Sequence, residues 1–168
     1  MSLIEHKQKS ANFIKCKVIT ISDTRNQDTD KSGNLIIDKL KSAGHQVVAY
    51  QIIKDEKGQI KQAVDESCSS NNLDVIITNG GTGIAKRDVT IETIKPLLEK
   101  EIVGFGEIFR MLSYNEDIGS AAILSRAIAG VKNGKAIFAT PGSSGAVRLA
   151  MDKIILPELQ HVVHELHK

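Results

Sequence analysis

The chain has 168 residues, with 22 Lys and Arg against 20 Asp and Glu and a formal net charge of +2, a length that fits one domain able to bury its own core without disulfide or metal support. So even a balance leaves no basic footprint for nucleic acid, and aromatic residues at 4% leave little for base stacking, so no nucleic-acid partner is expected. Cys16 and Cys68 form no C-x-x-C pair, Met1 to Lys17 carries no apolar leader, and no apolar stretch approaches the roughly 18 to 20 residues of a membrane span, which together predict a reduced, cytoplasmic protein with no membrane partner.

Residues 1–14 read as a flexible tail and 15–168 as a single domain. Cys16 to Ile21 alternates and then runs on as a buried strand, ending in Ser22-Asp23-Thr24 and a polar loop through Asp30. Leu35, Ile36, Leu40 and Ala43 keep a helical stripe that Gly44 stops, and Gln46 to Ile53 is the next strand, handing over to Lys54-Asp55-Glu56. Ile60, Ala63, Val64, Ser67 and Cys68 fall at i, i+3, i+4, i+7 and i+8, so a helix returns the chain to a strand at Val75. The order β-α-β-α-β predicts a right-handed parallel sheet.

That third strand, an apolar run from Leu73 to Ile77, stops in Thr78-Asn79-Gly80-Gly81-Thr82-Gly83, followed at once by Lys86-Arg87-Asp88-Val89-Thr90. Glycines at the carboxyl edge of a parallel sheet let backbone N–H groups close on an anionic oxygen. The spacing is neither G-x-G-x-x-G nor a Walker loop, so the loop says "anion" without saying which, and glycines alone equally make a tight strand-to-helix turn.

Thr90 is expected to cap a helix through about Leu98, with Glu92 favourable in its first turn. Phe105, Ile108, Phe109 and Leu112 share one face of a helix over Gly104 to Ser113. Ala127 to Val131, Asn133-Gly134 and Ala136 to Ala139 read as a β-hairpin, because Asn-Gly supplies the two positive φ angles of a type I′ turn, and the sheet is therefore mixed. Pro141-Gly142-Ser143-Ser144-Gly145 opens a last helix carrying Val147, Leu149, Ala150, Ile154 and Ile155, ended or kinked near Pro157. Its N-terminus is a second turn suited to an anion.

Taken in order, Ser22-Asp23-Thr24, the Gly80 to Gly83 loop with Arg87-Asp88-Val89-Thr90, Gly104-Phe105-Gly106-Glu107, Leu124-Ser125-Arg126 and Pro141-Gly142-Ser143 resemble the MoaB/MogA molybdopterin adenylyltransferases, from about Lys17 to about Leu166. The overall length and the segment from Gly104 to Leu112 look closest to the MoaB branch. The resemblance implies a three-layer α/β/α domain with a mostly parallel mixed sheet and one β-hairpin. It implies an enzyme of molybdenum cofactor biosynthesis that joins the terminal phosphate of molybdopterin to AMP from MgATP and releases pyrophosphate. The implied partners are molybdopterin, MgATP, further copies of the chain as a trimer or hexamer, and the molybdenum-insertion enzyme. Two alternatives stay open: a molybdopterin carrier that does not turn over ATP, and the insertion step itself.

Residue by residue, the resemblance makes Asp55 and Asp88 the catalytic pair, holding Mg2+ together with ATP phosphates. Oxygen ligands from one or two carboxylates plus substrate phosphates are what magnesium prefers. Asp55 is also a natural turn residue and Asp88 a natural charge at a helix N-terminus. Gly80, Gly81, Thr82 and Gly83 are matched to phosphate binding, and Ser113, Ser125, Pro141, Gly142 and Ser143 to substrate binding. Ser125 serves equally well as an ordinary turn or cap serine, and Ser143 caps the last helix whether or not a ligand binds. Lys86, Arg87, Arg110, Arg126 and Arg148 are candidates for phosphate neutralisation, none singled out. His161, His164 and His167 recur every third residue, but without H-E-x-x-H and on a polar tail they read as a solvated helix end, and no transition-metal site is expected.

Overall fold

The computed structural model describes residues 2–3 and 13–168, so the tail expected over 1–14 lies largely outside the described residues. Ile14, at its end, is fully buried and donates its N–H to His45 Nδ1 at 3.1 Å. Strand β1 (Lys15–Ile21) follows, buried on both faces over its second half as a central parallel strand must be. Asp30 then caps helix α1 (Lys31–Ser42), its Oδ1 accepting from Gly33 N at 3.0 Å, and Gly44 ends the turn at φ +87°. Strand β2 (Gln46–Ile53) matches its expected bounds, and α2 (Lys57–Cys68) buries Ile60, Ala63, Val64, Ser67 and Cys68, the stripe its period predicts. Every residue of β3 (Val75–Asn79) is buried.

Two expectations in the next stretch are corrected. Helix α3 (Thr90–Ile94) begins at Thr90, with Val89 in the cap position. Thr90 is drawn into the glycine loop instead: its Oγ1 donates to Gly80 O and its N–H to Gly81 O, each at 3.0 Å. The helix also stops at Ile94 and tightens to a 3-10 turn over Lys95–Leu97, since Pro96 lacks the N–H that a further α turn needs. A two-residue strand β4 (Lys100–Glu101), too short to show a period, pairs antiparallel with the first strand of the hairpin.

Helix α4 (Val103–Glu116) splits the apolar set assigned to one face. Phe105 and Phe109 enter the core, Phe105 edge-on to Phe138 at 5.3 Å between centroids, whereas Leu112 is half-buried and Ile108 remains 47% exposed. A 3-10 segment (Gly119–Leu124) leads to the hairpin of β5 (Ile128–Lys132) and β6 (Lys135–Thr140), whose turn residues Asn133 and Gly134 have φ 51° and 73°. Helix α5 (Ser144–Ala150) is capped by Ser143 Oγ, which accepts from Ala146 N at 3.2 Å. It widens into a π-type turn (Met151–Ile155) and continues as α6 (Leu156–Leu166). Pro157 therefore neither ends nor breaks the run, because the wide turn relieves the missing N–H one turn earlier.

Among the described residues the sheet order is β2-β1-β3-β6-β5-β4, parallel from β2 to β6 with β5 reversed. One face packs Val18, Ile77 and Phe138 against Ile36, Phe109, Met151 and Leu159 from α1, α4, the π-type turn and α6. The other packs Ile19, Ile76 and Ile137 against Ile60, Val64 and Ile94 from α2 and α3. This is the expected three-layer α/β/α arrangement, and it sends the carboxyl ends of β1, β2, β3 and β6 to one edge. No helix among the described residues is long and apolar enough to cross a membrane.

Candidate functional site

At that edge the chain leaves β3 through Gly80 (φ +100°) and Gly81 (φ +69°), conformations that glycine adopts without a Cβ penalty. Space imposes the same choice. A Cβ on Gly80 would meet Ile21 O, and one on Gly81 would meet Thr90 Oγ1 and come within 2.8 Å of Asp55 Oδ1. At Gly83 it would lie 2.6 Å from Asp88 Oδ2. The two candidate carboxylates thus sit directly against the loop, Asp55 from the turn after β2 and Asp88 from the turn before α3.

Asp88 Oδ2 accepts from Ala85 N at 3.0 Å, closing the 85–88 turn. Asp23, at the end of β1, accepts from Asp55 N at 3.1 Å through Oδ1 and from Arg87 Nε and Nη2 at 3.1 and 2.8 Å through Oδ2. Hydrogen bonding to Arg87, and then to the Asp55 N–H, lowers the Asp23 pKa. Asp55 is shifted the other way: burial, and then the negative charges of Asp23 and Asp88, push its pKa above the usual carboxylate value.

The loop borders a cleft of about 280 Å³ lined by Asp55, Gly80, Gly81, Thr82, Gly83, Asp88, Ser125, Pro141 and Gly142, nine of the residues expected at the site. Ser113 and Ser143 line an adjoining cavity of about 220 Å³, which shares Ser125 and Pro141 with the cleft. Hence the site is a cleft with an annex, and Ser125 and Pro141 stand between the two.

The cationic candidates separate sharply. Arg126 Nε donates to Thr82 O at 2.9 Å and its Nη2 to Gly83 O at 2.7 Å, while Glu92 receives the other edge of the guanidinium at 2.6 and 2.9 Å. Arg126 thereby ties the loop to Glu92, and its hydrogen bond is the main reason that the Glu92 pKa is lowered. Arg87 is taken by Asp23, Lys86 is exposed, Arg110 lies beside Gly106, and Arg148 lines a separate cavity with Glu116 and Asp152. His161 lies against Glu158 and Glu165 on α6, away from the cleft. The residue that sequence reasoning missed is Arg25, which lines the cleft. Its position directly after Ser22-Asp23-Thr24 was the available signal.

Comparison with known proteins places these features in context. Residues 17–161 match a family model described as "Probable molybdopterin binding domain". The chain is 61% identical over 168 residues, all of this chain and 99% of the other, to the molybdenum cofactor biosynthesis protein B of Bacillus subtilis (strain 168). A crystal structure of a molybdenum cofactor biosynthesis protein B superposes with a TM-score of 0.90 at 62% identity, covering 92% of this chain and 96% of that one. The structure described as the molybdopterin biosynthesis enzyme MoaB of Thermus thermophilus gives 0.80 at 32% identity, covering 91% and 96%.

Proposed function

Because the chain belongs to the molybdopterin-binding family of molybdenum cofactor biosynthesis proteins, we propose that it catalyses the MgATP-dependent adenylylation of the terminal phosphate of molybdopterin. The observation that carries this reading is the convergence of Asp55 and Asp88, from two separate turns, on a glycine loop at the carboxyl edge of the sheet.

A phosphate monoester is largely dianionic at neutral pH, its second pKa being about 6, so the acceptor needs no strong general base. One of its oxygens forms a bond to the α-phosphorus of ATP; the bond from that phosphorus to the bridging oxygen breaks, and the electron pair leaves with pyrophosphate. The difficulty is bringing two polyanions together. The Gly80 N–H is taken by Thr140 O at 3.0 Å, so the amides of Gly81, Thr82 and Gly83, with the Thr82 hydroxyl, hold phosphate oxygens, and Arg126 pins the loop through the Thr82 and Gly83 carbonyls. Ser125, between cleft and annex, orients the acceptor, with Ser113 and Ser143 bordering the space for the pterin end.

Asp55 and Asp88 fit a magnesium ion as oxygen donors, and a cation there would offset the burial and the Asp23 and Asp88 charges that together raise the Asp55 pKa. Among the described residues no group of three His, Cys, Asp or Glu side chains gathers to hold a metal, so the remaining ligands come from ATP phosphates and water. Magnesium supplies neutralisation of charge on the triphosphate. The same reading includes assembly as a trimer or hexamer, supported by the exposed apolar side chains of α4, and delivery of the adenylylated product to a molybdenum-insertion enzyme.

The test is pyrophosphate release by the purified protein with MgATP and molybdopterin, together with chromatographic detection of adenylylated product. Both are expected. Tight molybdopterin binding without pyrophosphate would leave a carrier in place of an enzyme.

A further inference from the structure

The cleft has two chemically different borders. Asp55 and Asp88 lie against Gly81 and Gly83, whereas Arg25 lies against Gly142, whose own Cβ position is 3.2 Å from Gly80 Cα. We propose that Arg25 binds the phosphate monoester of the acceptor at the Gly80–Gly142 border, a metal-free anion subsite distinct from the carboxylate border that receives MgATP. The proposal rests on the reading that a phosphate monoester and MgATP share this cleft.

Arg25 is held in advance by a buried polar ring. Its Nη1 donates to Asn79 Oδ1 at 3.3 Å and its Nη2 to Gly142 O at 2.9 Å. Asn79 Nδ2 donates to Thr20 Oγ1 at 2.9 Å, and Thr20 Oγ1 donates to Asp30 Oδ2 at 2.6 Å. Asp30, fully buried, closes the ring at 3.6 Å from Arg25 Nη1. Asn79, Thr20 and Asp30 are all inaccessible to solvent, while the Arg25 side chain keeps 30% exposure where it lines the cleft.

A purely structural ion pair with Asp30 is a poor account of this arrangement. The Asp30 carboxylate already accepts from Thr20 Oγ1, Gly33 N and Tyr50 OH, and 3.6 Å is beyond a hydrogen bond. Gly142 O is likewise held without Arg25, by Ser32 Oγ at 2.5 Å. These two hydrogen bonds use two of the five guanidinium donors and leave donors for a ligand.

Charge points the same way. Arg126, the other cation lining the cleft, is occupied by Glu92 and by two loop carbonyls. A metal-free dianion entering between them finds its compensating charge at Arg25, whose planar fork suits two oxygens of a terminal phosphate. Because the ring orders the side chain before the ligand arrives, little rotamer freedom remains to be lost on binding.

The experiment compares the parent protein with Arg25→Gln, Arg25→Lys and, as a distant arginine in a different cavity, Arg148→Gln. Inorganic phosphate is titrated into each, following the amide resonances of Gly80 and Gly142, and KM is measured separately for molybdopterin and MgATP. Arg25→Gln is expected to weaken phosphate binding and to raise KM for molybdopterin by about tenfold or more, with KM for MgATP unchanged. Arg25→Lys keeps the charge without the fork and is expected to lose a few-fold; it carries the test if the glutamine variant fails to fold. Arg148→Gln is expected to match the parent. Parental phosphate affinity in both Arg25 variants, or a rise confined to KM for MgATP, overturns the proposal and leaves the adenylylation reading standing. Phosphate binding that depends on Arg25 in a protein releasing no pyrophosphate does the reverse.

Discussion

Asp55 Oδ1 lies 2.8 Å from the point that a β-carbon on Gly81 would occupy, so the carboxylate and the loop backbone meet where no side chain fits. The consequence for Gly81→Val is direct. Its φ of +69° costs a β-branched residue about 1–3 kcal/mol of strain, and the new side chain must displace Asp55 or the Thr90 hydroxyl. The variant is expected to fold, with a lowered melting temperature, and to bind MgATP at least tenfold more weakly. Calorimetric titration beside a thermal melt checks this; parental ATP affinity would reduce the loop to a turn.

For Asp88→Asn the expectation separates chemistry from acceptor binding. The amide still accepts from Ala85 N, so the 85–88 turn survives, but the charge offered to magnesium is lost. Adenylylation should fall on the order of a hundredfold or more, corresponding to roughly 3 kcal/mol of transition-state stabilisation. Molybdopterin affinity should hold or tighten as a negative charge leaves the cleft. A paired titration and turnover assay reads both, and unchanged turnover removes Asp88 from the mechanism.

Asp55→Asn is expected to trade activity for stability. Burial and the charges of Asp23 and Asp88 raise the folded-state pKa of Asp55 above its unfolded value, so ionised Asp55 disfavours folding. The penalty is present in full above the folded pKa and disappears as pH falls through it toward the unfolded value. Relative to the parent, the variant should therefore melt higher at pH 7, and the difference should shrink on acidification through that window. Melting curves across pH test the sign: a variant less stable than the parent at pH 7 refutes it.

The outer face of α4 yields the oligomer prediction. Ile108, Met111 and Tyr114 are 47%, 54% and 60% exposed, and Ile123 on the following 3-10 segment is 83% exposed, apolar side chains that a second copy of the chain would cover. Light scattering at micromolar concentration is expected to give a trimer or hexamer, and Met111→Lys to shift the mass downward. A monomeric parent protein sinks the assignment.

Much of the architecture was legible in local pattern. The bounds of β2, the buried stripe of α2 and the Asn133-Gly134 turn follow from period and φ requirements over a few neighbouring residues, which the order of side chains encodes directly. Strand β4 was not, because two residues carry no period and Lys100–Glu101 becomes a strand by pairing with β5. Asp55 and Asp88 were reached through the family resemblance, since a lone aspartate in a turn has ordinary local uses.

The sequence by itself determined the parallel core, the glycine loop at its carboxyl edge and the hairpin, all consequences of short-range periodicity and backbone restriction. Tertiary structure alone decided which polar groups meet. Thr90 fits a helix cap in one dimension, but Gly80 O takes its hydroxyl. Arg126 carries no mark setting it apart from Arg110 or Arg148 until the loop carbonyls come within hydrogen-bonding distance. Arg25 joins Asn79 and Gly142 across 54 and 117 residues of chain. Hydrogen bonds and charges act over a few ångströms in space, and the sheet brings these groups within that range regardless of their separation along the chain.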